Sequence, residues 1–112
     1  ERLIHTRKDS EFFMQLFQRF KDANVELNSH VEIRQFTAAC ELVCNGVGVA
    51  VVSELDAVNY TGKGLSYRPF APQLPHALSL VRPILKTPSL VTLEFIEHFR
   101  ESLRPYMLAA NT

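Results

Sequence analysis

The sequence predicts an α/β domain with a mainly parallel sheet flanked by helices. Three observations point there. Short strand-like segments alternate with segments of helical periodicity, the signature of βαβ units. The run Val47-Gly48-Val49-Ala50-Val51-Val52 is continuously apolar, as a strand covered on both faces of a parallel sheet would be. The helical segments stop at Asn24 and Gly46, residue types through which a chain readily leaves a helix.

In chain order, Leu3-Ile4-His5-Thr6 is the first predicted strand, stopped by Arg7-Lys8. Asp9 and Ser10 then offer side-chain oxygens to cap a helix. In that helix Phe12, Phe13, Leu16, Phe17 and Phe20 recur at helical spacing and predict a stripe facing the core. After Asn28-Ser29, the alternation from Val31 to Arg34 predicts a second strand. A second helix is expected from Thr37 to Asn45, with Gly46 as its left-handed exit and the apolar strand 47–52 following. Ser53 to Tyr60 reads as a short helix capped by Ser53, with Gly62-Lys63-Gly64 as its exit. Leu65 to Phe70 is predicted as a strand whose Pro69 marks an end or an edge. Ala71 to Pro75 makes a stiff connection, and Ala77 to Arg82 is another predicted strand. Pro88 sits at a first-turn position after Thr87 and opens a long helix with Val91, Phe95, Ile96, Phe99 and Leu103 on one apolar face. The strands at 3–6, 31–34, 47–52 and 65–70 are expected to share one sheet.

Composition excludes several classes. At 112 residues the chain suffices for one compact domain. Its 12 basic and 12 acidic residues are spread along the sequence, so no basic stripe is present to neutralise phosphates, and this stretch alone is not expected to bind DNA. The longest apolar run is too short to span a bilayer, and the start lacks a signal-peptide pattern. A cytoplasmic protein without membrane contact is the expectation.

The chemistry of known motifs is also missing. Cys40 and Cys44 are four apart, but no histidine or carboxylate stands at a spacing that would complete a zinc site; apolar neighbours make them buried small hydrophobes. Asn59-Tyr60-Thr61 is a glycosylation sequon only in a secreted chain. Gly46 and Gly48 follow a helix and precede a strand, the reverse of a dinucleotide-binding loop. His5, His30, His76 and His98 lie on separate elements, and no nucleophile elbow or phosphate loop appears. Neither an enzyme nor a cofactor or metal is expected.

The stretch Phe36 to Val52 has a polar helix start, Leu42-Val43, the Gly46-Val47-Gly48 turn and an apolar strand; it resembles a stretch of the LysR-type transcription regulators. The flanks fit the same family. An upstream strand and helix span Leu3 to Asn24, Leu65-Ser66-Tyr67-Arg68-Pro69-Phe70 is like a downstream strand, Ser79-Leu80-Val81-Arg82-Pro83 is like a further one, and Ser89 to Phe99 is like the final helix. Within the family the chain is most similar to the lysine-biosynthesis and octopine-responsive subgroup, whose effectors are amino acids or their derivatives.

The resemblance implies an organisation. It makes residues 1–76 the second lobe of an effector-binding domain folded like a type 2 periplasmic binding protein. Residues 77–112 become the return crossing strand and C-terminal helix belonging to the first lobe. The N-terminal winged helix-turn-helix that binds DNA is absent from these residues. The implied partners are a small-molecule effector held between the lobes and further copies of the chain, as a dimer or tetramer of the full-length protein. A periplasmic-type solute-binding protein shares the lobe architecture and is the alternative.

Two helix starts follow parallel strands at their carboxyl ends, where open α/β sheets place ligands and where free N–H groups attract anions. They make Thr6, Ser10, Gln35, Phe36 and Thr37 the expected effector-binding residues. Hydroxyls and amide would hold a polar head group, and Phe36 would pack on an apolar part. Simple capping by Ser10 and Thr37 is the competing reading, and Arg34 is either a strand-end surface charge or a ligand contact.

Overall fold

A computed structural model describes residues 1–71, 73–74 and 78–107. The chain divides into two units, Glu1–His76 and Ala77–Thr112. Among the described residues no helix is long and apolar enough to cross a membrane.

The first unit has the alternating order that its sequence pattern demands: β1 (Leu3–His5), α1 (Glu11–Asp22), β2 (Ser29–Glu32), α2 (Phe36–Cys44), β3 (Val49–Ala50) and α3 (Glu54–Ala57), which runs on into a single 3-10 turn at Val58–Tyr60. The three strands are parallel in the order β2-β1-β3, so the first strand in sequence is the middle one. That position explains its burial: Leu3 and Ile4 are enclosed, and His5 with them. The core they begin is completed by Phe13 and Leu16 of α1, Ala39 and Cys40 of α2 and Ala57 of α3. Burying side chains such as Ile4 and Leu16 stabilises the fold by about 1.5–3 kcal/mol each.

Local chemistry sets the helix limits. Ser10 is extended and its hydroxyl accepts from the Phe13 N–H, which caps α1. Asn24 takes φ 57° where the chain turns out of the helix, and Gly46 takes φ 77° after α2. Ser53 caps α3 through the Leu55 N–H. Gly62 and Gly64 both have positive φ and form the expected exit.

Several expectations are corrected. The aromatic stripe of α1 is only partly core: Phe13 and Leu16 are buried, Phe12 and Phe20 half-buried, and Phe17 is 49% exposed. The second strand lies two residues earlier than predicted, at Ser29–Glu32, because the ladder begins where Leu3 N–H meets the Asn28 carbonyl; it reaches on to the Ile33 N–H bonded to His5. The apolar run 47–52 contributes only Val49–Ala50, which pair with Leu3 and Ile4. Among the described residues nothing pairs with its outer side, so β3 is an edge rather than a doubly covered strand, and Val49 is 42% exposed.

Leu65–Phe70 forms no strand; Leu65 makes one isolated bridge with Thr61, and among the described residues no strand lies beside the chain beyond it. The fourth strand expected in the sheet is therefore missing.

In the second unit, residues 78–82 form no strand either, and Leu80 and Val81 are exposed; Ala77, the first residue of that predicted strand, lies outside the described residues. So do Pro72, Pro75 and the C-terminal 108–112. The long helix α4 (Leu90–Leu103) begins two residues beyond the Pro88 expected to open it. Ser89, not Pro88, sets it, because the Ser89 hydroxyl accepts from the Thr92 N–H. Phe95 and Phe99 lie one turn apart with ring centroids 5.8 Å apart, and no residue of α4 is buried.

Candidate functional site

Parallel pairing brings two connections to one end of the sheet. β1 hands over to α1 through Thr6–Ser10, and β2 hands over to α2 through Ile33–Gln35; the bond from Ile33 N–H to the His5 carbonyl, 2.8 Å, locks the two exits side by side. The cleft formed there has a volume of about 680 Å³. All five residues expected at a binding site, Thr6, Ser10, Gln35, Phe36 and Thr37, line it.

The two sides differ in how much of their polar capacity is spent. On the first, the Thr6 and Ser10 hydroxyls lie 3.0 Å apart in a hydrogen bond while Ser10 also caps α1. Arg7 makes a two-pronged pair with Asp9, at 3.1 and 2.8 Å. On the second, Gln35 is the extended residue before α2 but gives no side-chain cap. The first-turn N–H groups of α2 thus meet no capping oxygen from that residue, and Thr37 is exposed beside them. An uncapped helix start of this kind suits a carboxylate.

Phe12 joins Phe36 in an edge-on pair with centroids 5.0 Å apart, which gives the cleft an apolar wall. Arg34 and Asp56 complete the lining. Sequence reasoning missed Phe12, Arg7, Asp9 and Asp56 as lining residues and weighed Arg34 only as a lesser contact. A signal for Asp56 existed: the rule that places ligands after β1 and β2 applies equally to the connection from β3 to α3. Phe12 was hidden by being counted with the core stripe.

At the end of β1, His5 is buried and doubly bonded. Its Nδ1 donates to the Thr6 carbonyl at 2.7 Å, leaving Nε2 to accept from the Ser29 hydroxyl at 2.6 Å, and its ring lies 4.8 Å from that of Phe13. This histidine is a structural brace. Both cysteines are free thiols. Burial pushes the Cys40 thiol above its ordinary 9.0, with Asp56, Cys44 and Glu41 adding to the effect. Among the described residues no group of three histidine, cysteine or acidic side chains is placed to hold a metal. A second hollow, about 540 Å³, lies over Phe13, Met14, Phe17 and Leu27 and has fewer polar groups converging on it.

Comparison with known proteins agrees with this architecture. Residues 1–104 match the family model described as the LysR substrate binding domain. The chain is 30% identical over 103 residues to the transcriptional activator protein LysR of Escherichia coli strain K12, an alignment covering 92% of this chain and 33% of that protein. The chain thus spans about a third of the length of this curated relative. No solved structure matches it.

Proposed function

The chain belongs to the family of LysR substrate-binding domains, and from that premise we propose that it is the effector-sensing part of a LysR-type transcription regulator. Its effector is a small molecule, an amino acid or a derivative of one, bound between two lobes. Glu1–His76 serves as the second lobe, and Ala77–Thr112 as the return crossing and final helix belonging to the first. The regulator acts in the cytoplasm as a dimer or tetramer, contacts DNA through a separate N-terminal domain, and senses rather than catalyses.

One observation carries this reading: Thr6, Ser10, Gln35, Phe36 and Thr37 converge on a single cleft at the carboxyl end of the parallel strands. The start of α2 receives the carboxylate, the Thr6, Ser10 and Thr37 hydroxyls bind polar groups, and Phe36 with Phe12 covers the apolar part. Sensing then requires only that the closed form make more of these contacts than the open one, because a ligand shifts an equilibrium by its differential affinity.

The test uses the full-length regulator that contains this chain and a panel of amino acids. A compound that binds only the folded state raises its stability by about 2.7 kcal/mol at a hundredfold excess over Kd, visible as a higher melting temperature. Thr37→Val keeps the shape but removes the hydroxyl, and is expected to cost roughly 1–3 kcal/mol of affinity by calorimetric titration. Pure capping would lower the melting temperature of the unliganded protein and leave affinity unchanged. Equal affinities would remove Thr37 from the site.

A further inference from the structure

Building on the reading of the cleft as an effector site, we propose that Arg34 and Asp56 sort its ligands by charge. The cleft accepts an amphoteric small molecule, one with both an anionic and a cationic group, and discriminates against analogues that lack either. Four ionised side chains line the cleft: Arg7, Asp9, Arg34 and Asp56. Arg7 and Asp9 are paired to each other at 2.8 Å and leave no net charge to offer. Arg34 and Asp56 do not pair. Among the described residues the ion pairs are Arg7–Asp9 and Arg104–Glu101, so neither cleft charge has a counter-ion among them.

The two charges come from different βα connections, Arg34 from the exit of β2 and Asp56 from the helix after β3. Asp56 is half-buried in the lining of the cleft, where its carboxylate can meet a ligand ammonium. The alternative duty for an acid in a first turn is to complement the helix dipole. α3 is a single turn that runs on only into one 3-10 turn, so the dipole it offers is small. Arg34 stands immediately before the N-cap Gln35, whose side chain does not cap α2, so a ligand carboxylate there would meet both the guanidinium and the first turn of the helix. A cation and an anion that line one cavity without pairing to each other match a ligand that carries both charges.

The experiment measures affinities of the full-length regulator for the twenty common L-amino acids. Each binder is compared with its decarboxylated amine and with its des-amino acid. The wild type is expected to prefer the intact amino acid over both by roughly tenfold or more, the scale of a lost charge-assisted hydrogen bond. Asp56→Asn should erase the preference over the des-amino acid and keep the preference over the amine. Arg34→Gln should do the reverse. A protein that binds an amino acid but whose preferences neither variant changes overturns the charge sorting while leaving the effector site in place. If no amino acid binds the wild type, the effector reading itself falls, and this inference with it.

Discussion

At the scale of single residues, Cys40 links packing to pH. It is 1% exposed, and its thiol is held above the ordinary value of 9.0 first by burial and then by Asp56, Cys44 and Glu41. The folded state therefore keeps a proton that the unfolded chain releases near pH 9. That contribution to stability is complete below pH 9 and is lost as pH rises through the higher folded value. In reducing buffer, the urea midpoint is expected to fall as pH is raised above 9, and to fall less in Cys40→Ala. Equal slopes in the two proteins would acquit the thiol. The burial of Cys40 was legible from its apolar neighbours. The brace at His5 was not, because its bond to Ser29 joins residues far apart in the chain and no local pattern announces it.

Among the elements, what was legible is what is decided locally. The caps at Ser10 and Ser53, the turn residues Asn24 and Gly46, and the pair of positive-φ glycines at 62 and 64 all depend on chemistry within a few residues. Strands depend on partners, and so the run 47–52 shrank to Val49–Ala50 while 65–70 and 78–82 formed no ladder. The candidate site was legible where a helix start follows a strand, and hidden where an aromatic resembled core or a carboxylate lay on a third connection. Gly48 shows how tight the surviving ladder is. A Cβ there would collide with the Arg2 carbonyl oxygen, which is fixed because it accepts from the Val49 N–H at 2.9 Å. Gly48→Ala is expected to destabilise the protein by about 1–3 kcal/mol, the usual cost of overpacking. A thermal or urea denaturation curve matching the wild type would show that β1 and β3 separate at no cost.

For the whole molecule, the exposed apolar side chains matter most. Met14, Phe17 and Val49 are exposed in the first unit, and Leu90, Val91 and Phe95 in the second, while β3 presents an open strand edge. Such surfaces and edges drive association. These 112 residues, produced by themselves, are expected to self-associate, with a light-scattering mass above 12.7 kDa that rises with concentration. A monodisperse monomer would contradict this. The strand order β2-β1-β3 has a further consequence for how the chain comes to be folded. The middle strand is made first, yet its first neighbour follows some 25 residues later and its second, at Val49, about 45 residues later, so its hydrogen bonds wait on closure of two long loops. While the ribosome is still adding residues before Val49, Leu3 and Ile4 have at most one flank covered. Of these three strands the last one made therefore closes the sheet, and the central strand is the one that waits longest for its second neighbour.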